Sequence, residues 1–181
     1  DKEEVYVSIN VREGAEFKVR NVRLAGDLKV LESELRSLIT TQSGEVFSRQ
    51  KMTASADLLR KRLGDDGYTT ANVNGNPEVD TKSNQVDIVY YVEPGNLVYV
   101  NRISFAGNSK TKDEVLRREL QQMESSLAST RKIENSKSRL ERLGFFKKVD
   151  VETVPVTGAT DKIDLKYTVE EQPSGAVTAS V

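Results

Sequence analysis

The stretch Phe17-Lys-Val-Arg-Asn-Val-Arg-Leu-Ala-Gly26 returns as Val98-Tyr-Val-Asn-Arg-Ile-Ser-Phe-Ala-Gly107, an offset of 81 residues from Gly26 to Gly107. Apolar positions coincide: Val19 with Val100, Val22 with Ile103, Leu24 with Phe105. Recurrence at this period marks a repeated supersecondary unit, which sets the architecture before any single element is read. A second match supports it. Val86-Asp-Ile-Val-Tyr-Tyr-Val-Glu93 returns as Ile163-Asp-Leu-Lys-Tyr-Thr-Val-Glu170, now offset by 77 residues (86 to 163). Upstream, Val5 to Gly14 matches Val86 to Gly95, again at 81. Residues 1–14 therefore read as the last strand of a preceding unit, 15–95 as one unit and 96–173 as the next. Residues 174–181 read as the start of a further strand.

The pair Gly67-Tyr68 against Gly144-Phe145 already shows the offset of 77, so the second unit loses four residues before Gly144. Four residues are close to one helical turn of about 3.6. A helix that drops a turn keeps its apolar stripe on the core, so a helix is expected just before that glycine.

Each unit reads as β-α-α-β-β. The first strand covers 16–24 and 97–105, with a change of alternation that predicts a bulge near Arg20-Asn21. The first helix covers 30–40 and 112–123, with Leu31, Leu35, Leu38 and Ile39, then Leu116, Leu120 and Met123, at helical spacing. Thr111 and Glu114 read as a capping box. The second helix covers 49–65 and 130–143. Ser48 is its expected N-cap, and Phe47 with Met52 suits a hydrophobic staple. Met52, Ala56, Leu59 and Leu63 form its buried stripe, matched by Ile133, Leu140 and Leu143. Gly67 and Gly144 end these helices, with positive φ expected. Two strands close each unit: 68–74 and 85–93, then 146–153 and 162–170, each pair joined by a short polar turn. The fold class is α+β, with each unit a three-stranded sheet carrying two helices on one face. The last strand is the most apolar and belongs in the centre. The join Glu93-Pro-Gly-Asn96 is too short for a free tether.

Composition narrows the functions. The chain has 27 basic and 28 acidic residues, a net charge of −1. That balance lacks the Lys/Arg excess that phosphate binding requires, so no nucleic acid is expected. The absence of His and Cys removes Cys/His zinc sites, thiol nucleophiles and every imidazole-based triad. No P-loop, nucleophile elbow or dinucleotide-binding motif stands in either copy. The expectation is a non-catalytic binding array without cofactor or metal. No apolar run reaches the roughly 20 residues of a membrane-spanning helix.

The repeat, with its strand ending in Ala-Gly-Asn, its Leu143-Gly-Phe-Phe146 after the second helix and its Val-Asp-x-x-Tyr-x-Val-Glu last strand, resembles the POTRA domain. Val115-Leu-Arg-Arg-Glu-Leu-Gln-Gln-Met-Glu124 and Arg139-Leu-Glu-Arg-Leu-Gly-Phe-Phe146 make the second copy similar to the barrel-proximal POTRA of the BamA type within the Omp85 family. The resemblance implies the periplasmic portion of a Gram-negative outer-membrane protein that works in β-barrel assembly. Its own C-terminal membrane barrel would follow, beginning in 174–181. The resemblance also implies BamD-like and other assembly lipoproteins as partners, contacted through Arg117 and Glu124, and unfolded outer-membrane proteins as clients. Gln121 departs from the family pattern, which carries a basic residue there. Other POTRA-bearing proteins, a TamA-like or two-partner-secretion transporter, form the alternative.

A three-stranded sheet also leaves unpaired N–H and C=O groups along its edges, to which an extended client segment can add. The expected edge strands carry Tyr68, Thr70, Ala71 and Val73 in one unit and Val149 and Val151 in the other. The bland alternative is an edge solvated or blunted by Lys147, Lys148 and Asp150. For Arg117 and Glu124 the bland alternative is a solvated helix face. Of Phe145 and Phe146, one is expected in the core and the other is a candidate interface anchor. Tyr90 and Tyr167 are expected to pack or hydrogen-bond within the sheet.

Overall fold

The computed structural model describes residues 15–172. The expectations for 1–14 and for 174–181 lie outside the described residues. The elements run β1 (Lys18–Gly26), α1 (Glu32–Ser37), α2 (Arg49–Asp65), β2 (Asn72–Asp80), β3 (Gln85–Glu93), β4 (Tyr99–Ala106), α3 (Asp113–Glu119), α4 (Thr130–Arg142), β5 (Phe146–Pro155) and β6 (Lys162–Glu171). They form two separate three-stranded sheets, ordered β1-β3-β2 and β4-β6-β5. β3 and β6 are central, each parallel to the first strand of its unit and antiparallel to the second. The bulge falls between Val19 and Asn21 and recurs between Val100 and Arg102.

Period-2 alternation puts Val86, Ile88, Tyr90 and Val92 of β3 into one core with Leu35, Met52, Leu59 and Leu63. Ile163, Leu165, Tyr167 and Val169 of β6 build the second core with Leu116, Ile133 and Leu140. Burying one such side chain fully is worth about 1.5–3 kcal/mol. Both tyrosines are fully buried, and their hydroxyls leave the sheet to meet the second helix: Tyr90 donates to the Met52 carbonyl at 3.4 Å and Tyr167 to the Ile133 carbonyl at 3.5 Å. The Ala-Gly that ends each first strand also has a physical cause. Gly26 and Gly107 sit at φ +95° and +86°, and a Cβ there would lie 2.2 Å from the Val92 carbonyl oxygen and 2.0 Å from that of Val169.

The second helices begin at equivalent positions, each capped by a serine, Ser48 or Ser129, that accepts from the N–H of Lys51 or Lys132. α2 has 17 residues and α4 has 13, so the missing four are the last turn. That turn of α2 is where the two units meet. Gly64 lies against Thr130, and the Asp65 carboxylate accepts the Arg131 N–H at 2.7 Å in the first turn of α4, where a negative charge is favoured. Lys61 pairs with Glu134 at 3.1 Å, and Val98 N–H donates to the Gly67 carbonyl at 3.0 Å.

Three expectations need correction. The first helices are short, six and seven residues, leaving Leu31 and Met123 outside them and exposed. The chain after each is drawn onto the second helix instead: Thr40 N–H donates to Ser55 Oγ at 3.0 Å and Gln121 N–H to Ser136 Oγ at 2.8 Å. The Thr111–Glu114 capping box does not form. Lys112 occupies the N-cap position without a side-chain cap, and the Thr111 N–H is taken by Glu171. Finally, β2 starts at Asn72 instead of residue 68. Tyr68 to Ala71 make a turn closed by Ala71 N–H to the Tyr68 carbonyl at 3.0 Å, and Asn74-Gly-Asn-Pro77 pairs with β3 as strand.

Candidate functional site

The first candidate surface is a groove on the second unit beside β4. Ile103, Arg117, Leu120, Gln122, Met123 and Glu124 line a cavity of about 280 Å³. Arg117 donates to the Ile103 carbonyl at 2.9 Å, and Glu124 accepts the Ile103 N–H at 2.7 Å. The two side chains also face each other at 3.4 Å. The Ile103 N–H, with Arg117 adding to it, holds the Glu124 carboxyl below its ordinary range against partial desolvation. The Arg117 guanidinium lies 5.4 Å from the centre of the Phe105 ring, and that ring stacks on Tyr167. Met123 projects from this rim, 63% exposed. The structure thus brings Arg117 and Glu124 together and gives both a structural role that the sequence did not reveal: they occupy the hydrogen-bonding groups of Ile103 at the edge of the sheet.

The floor of the groove is fixed by a buried side chain that sequence reasoning missed. Gln122 is fully buried, donates to the carbonyls of Met123 and Leu127 and to Ser126 Oγ, and accepts the Ser129 N–H at 2.9 Å. A glutamine in a polar run carries no periodicity signal, so only the packed structure exposes it.

The second candidate surface is the set of sheet edges. The first-strand edges are covered where each strand begins. Val19 exchanges bonds with Glu45 and Gly44, and Val100 with Ser126 and Ser125. β2 and β5 form the opposite edges. Val73, Val149 and Val151 lie in these strands, but their side chains turn inward: Val73 and Val149 are 1% exposed, and Val151 is half-buried against the core. What they offer outward is main chain. Tyr68, Thr70 and Ala71 are not edge residues, because they sit in the turn ahead of β2, with Ala71 buried.

A family model described as "Surface antigen variable number repeat", the POTRA model, matches residues 17–95 and 98–172. The chain belongs to the POTRA family. Its two POTRA units are 39% identical to the outer membrane protein assembly factor BamA of Neisseria meningitidis over 181 residues, covering 99% of this chain and 23% of that protein. They are 29% identical to BamA of Buchnera aphidicola, over 98% of this chain and 29% of the relative. Among solved structures, POTRA3-5 of Haemophilus influenzae BamA superposes with a TM-score of 0.81 at 31% identity, covering 88% of this chain and 63% of that one. Haemophilus ducreyi BamA lacking POTRA domains 1-3 superposes with a TM-score of 0.75 at 32% identity, over 86% of this chain and 30% of that one. The chain therefore spans about a quarter of the length of the curated relatives it matches.

At one end of the second POTRA unit the chain's exit is tied down. The Glu171 carboxylate accepts the N–H groups of Thr111 at 2.7 Å and Lys110 at 3.0 Å and the Ser109 hydroxyl at 2.8 Å. These donors, the Thr111 N–H first, pull its pKa down to about 2. Gln172 donates to the carbonyls of Phe145 and Phe146. Phe146 is core and Phe145 is 51% exposed beside it, the division expected of that pair.

Proposed function

We propose that these two POTRA units are a non-catalytic periplasmic scaffold of the outer-membrane β-barrel assembly machinery. The second, barrel-proximal unit docks a BamD-like assembly lipoprotein in the groove between β4 and α3, and exposed sheet edges guide unfolded barrel clients. The groove carries this reading, because its partner-facing chemistry is confined to the second unit. Met123 and Glu124 stand where the first unit has Gln42 and Ser43. An exposed methionine beside a charged pair offers the mixture of adaptable apolar area and directional charge that interface anchors use. The relatives named BamA are assembly factors of the outer membrane, which agrees with this role. Nothing in the described residues favours the TamA-like or two-partner-secretion alternative.

The test is titration of the two-unit fragment with a purified BamD-like lipoprotein. Met123→Asp and Glu124→Lys are each expected to weaken binding at least about tenfold, roughly 1.4 kcal/mol. Gln42→Asp in the first unit leaves it unchanged. Wild-type affinity in both groove variants would remove the groove from the interface.

A further inference from the structure

The four edges of the two sheets are not equally able to accept another strand. Resting on the client half of the reading above, we infer that the outer edge of β5 is the strand acceptor and that β2 is closed to the same segment by Pro77 and Arg60.

The argument is one of hydrogen-bonding direction. In an antiparallel pair, alternate residues point both backbone groups at the partner, and the residues between point theirs away. Val156 N–H bonds to the Lys162 carbonyl, so the even-numbered residues of β5 face β6. Val149, Val151 and Thr153 therefore face outward, and Pro155, which lacks an N–H, falls at the outward-facing end of the run. No side chain among the described residues reaches these three positions. In β2 the Val73 carbonyl receives the Arg60 guanidinium at 3.5 Å, which places Val73, Gly75, Pro77 and Val79 on the outward side. The register equates the strands through their shared partners: Val73 and Val149 face Val92 and Val169, while Pro77 and Thr153 face Ile88 and Leu165. The first unit thus has a missing donor in the middle of its edge and an occupied acceptor at its start, where in the second neither group is taken by any of the described residues.

The remaining edges are closed as well. Segments after α1 and α3 bond to the starts of β1 and β4, and farther along Arg36 takes the Val22 carbonyl while Arg117 and Glu124 take both groups of Ile103. Beside the open edge lies a cavity of about 270 Å³, lined by Thr69, Thr130, Ile133, Glu134, Thr153 and Ile163. It lies on the inner face of β5, where an added strand next to Thr153 would direct an apolar side chain. The occupant is therefore an extended segment of another polypeptide, alternating apolar and polar residues, held by main-chain bonds at Val149, Val151 and Thr153. Main-chain recognition of this kind reads conformation more than sequence, as unfolded barrel strands require.

A short synthetic peptide alternating valine and threonine, titrated into the two-unit chain, is the probe. Amide hydrogen exchange at single-residue resolution is the readout. The expected result is exchange slowed about tenfold or more at Val149, Val151 and Thr153, with no change at Val73, Gly75 and Val79. Thr153→Pro, which copies the first unit's device, abolishes the protection. Pro77→Thr combined with Arg60→Ala extends acceptance to β2 as well and does not depend on how Thr153→Pro folds. Equal protection of β2 and β5 in the unmodified chain would overturn the assignment while leaving client recruitment intact. Protection at neither edge in any variant would sink the client reading itself.

Discussion

In the first unit Arg36 reaches the Val22 carbonyl at 3.3 Å and bonds Glu32, one turn away, at 2.8 Å. In the second, Arg117 reaches the Ile103 carbonyl at 2.9 Å, faces Glu124, and lies over an aromatic ring that is Leu24 in the first copy. The same backbone device, a helix arginine satisfying a strand carbonyl, is thus retained in both copies. In the second it stands beside a cavity, the Glu124 carboxylate from the following loop and the exposed Met123. A duplicated fold separates what the fold needs from what a partner needs: features common to both units are structural, and features present in one are candidates for recognition. The sheet's outer face shows the same logic. Arg20 clamps Asp87 and lowers its pKa through that hydrogen bond, while the matching Asp164 receives the neutral Asn101 amide at 2.7 Å. The Arg20 clamp is particular to the first unit.

The comparison breaks most readily in the cores. Leu59 and Leu140 occupy equivalent positions in α2 and α4, and both are fully buried. Leu59→Ala and Leu140→Ala should each cost about 2–5 kcal/mol, measured by urea denaturation. A cost below about 1 kcal/mol for either would show that the second core is not a copy of the first. Next in size is the joint. Gly64→Val drives a side chain into Thr130 and should cost about 1–3 kcal/mol by overpacking. Amide exchange of Arg131 should rise as its bond to Asp65 is lost, while the exchange of β3 and β6 stays put. Unaltered Arg131 exchange would mean that the last turn of α2 does not hold the units together.

The smallest effect is in acid. Glu171 has a folded pKa of about 2, below its unfolded value, so its bonds to Ser109, Lys110 and Thr111 stabilise the fold fully above the ordinary carboxylate range. That contribution shrinks as pH falls from about 4.5 toward 2. Amide exchange at Lys110 and Thr111, corrected for its intrinsic pH dependence, should therefore accelerate over that window, and Glu171→Gln should remove the dependence. The first unit has Pro94 at the matching position and should show no counterpart at Leu28 to Val30. A pH-independent profile at Lys110 and Thr111 would remove the clamp.

Much of the fold was legible because periodicity is a local signal. The bounds of α2, its Ser48 cap, the central place of β3 and the bulge near Arg20-Asn21 all followed from local sequence pattern. The candidate sites were legible only in part. Arg117 and Glu124 came from resemblance, and their shared grip on Ile103 was invisible because the residues are 14 and 21 positions from it. Tyr68, Thr70 and Ala71 were misplaced because the strand was read as starting directly after Gly67, whereas Tyr68 to Ala71 close a turn of their own and pairing with β3 runs from Asn72 to Asp80.

The sequence by itself determined the repeat, the order of elements and the loss of four residues in the second copy, since each is written in the spacing of neighbouring side chains. Tertiary structure alone decided that those four residues are the turn of α2 resting on α4, and which edge has its polar groups already satisfied. Both depend on atoms brought together from distant parts of the chain, where packing and hydrogen-bond direction, and not periodicity, decide the outcome.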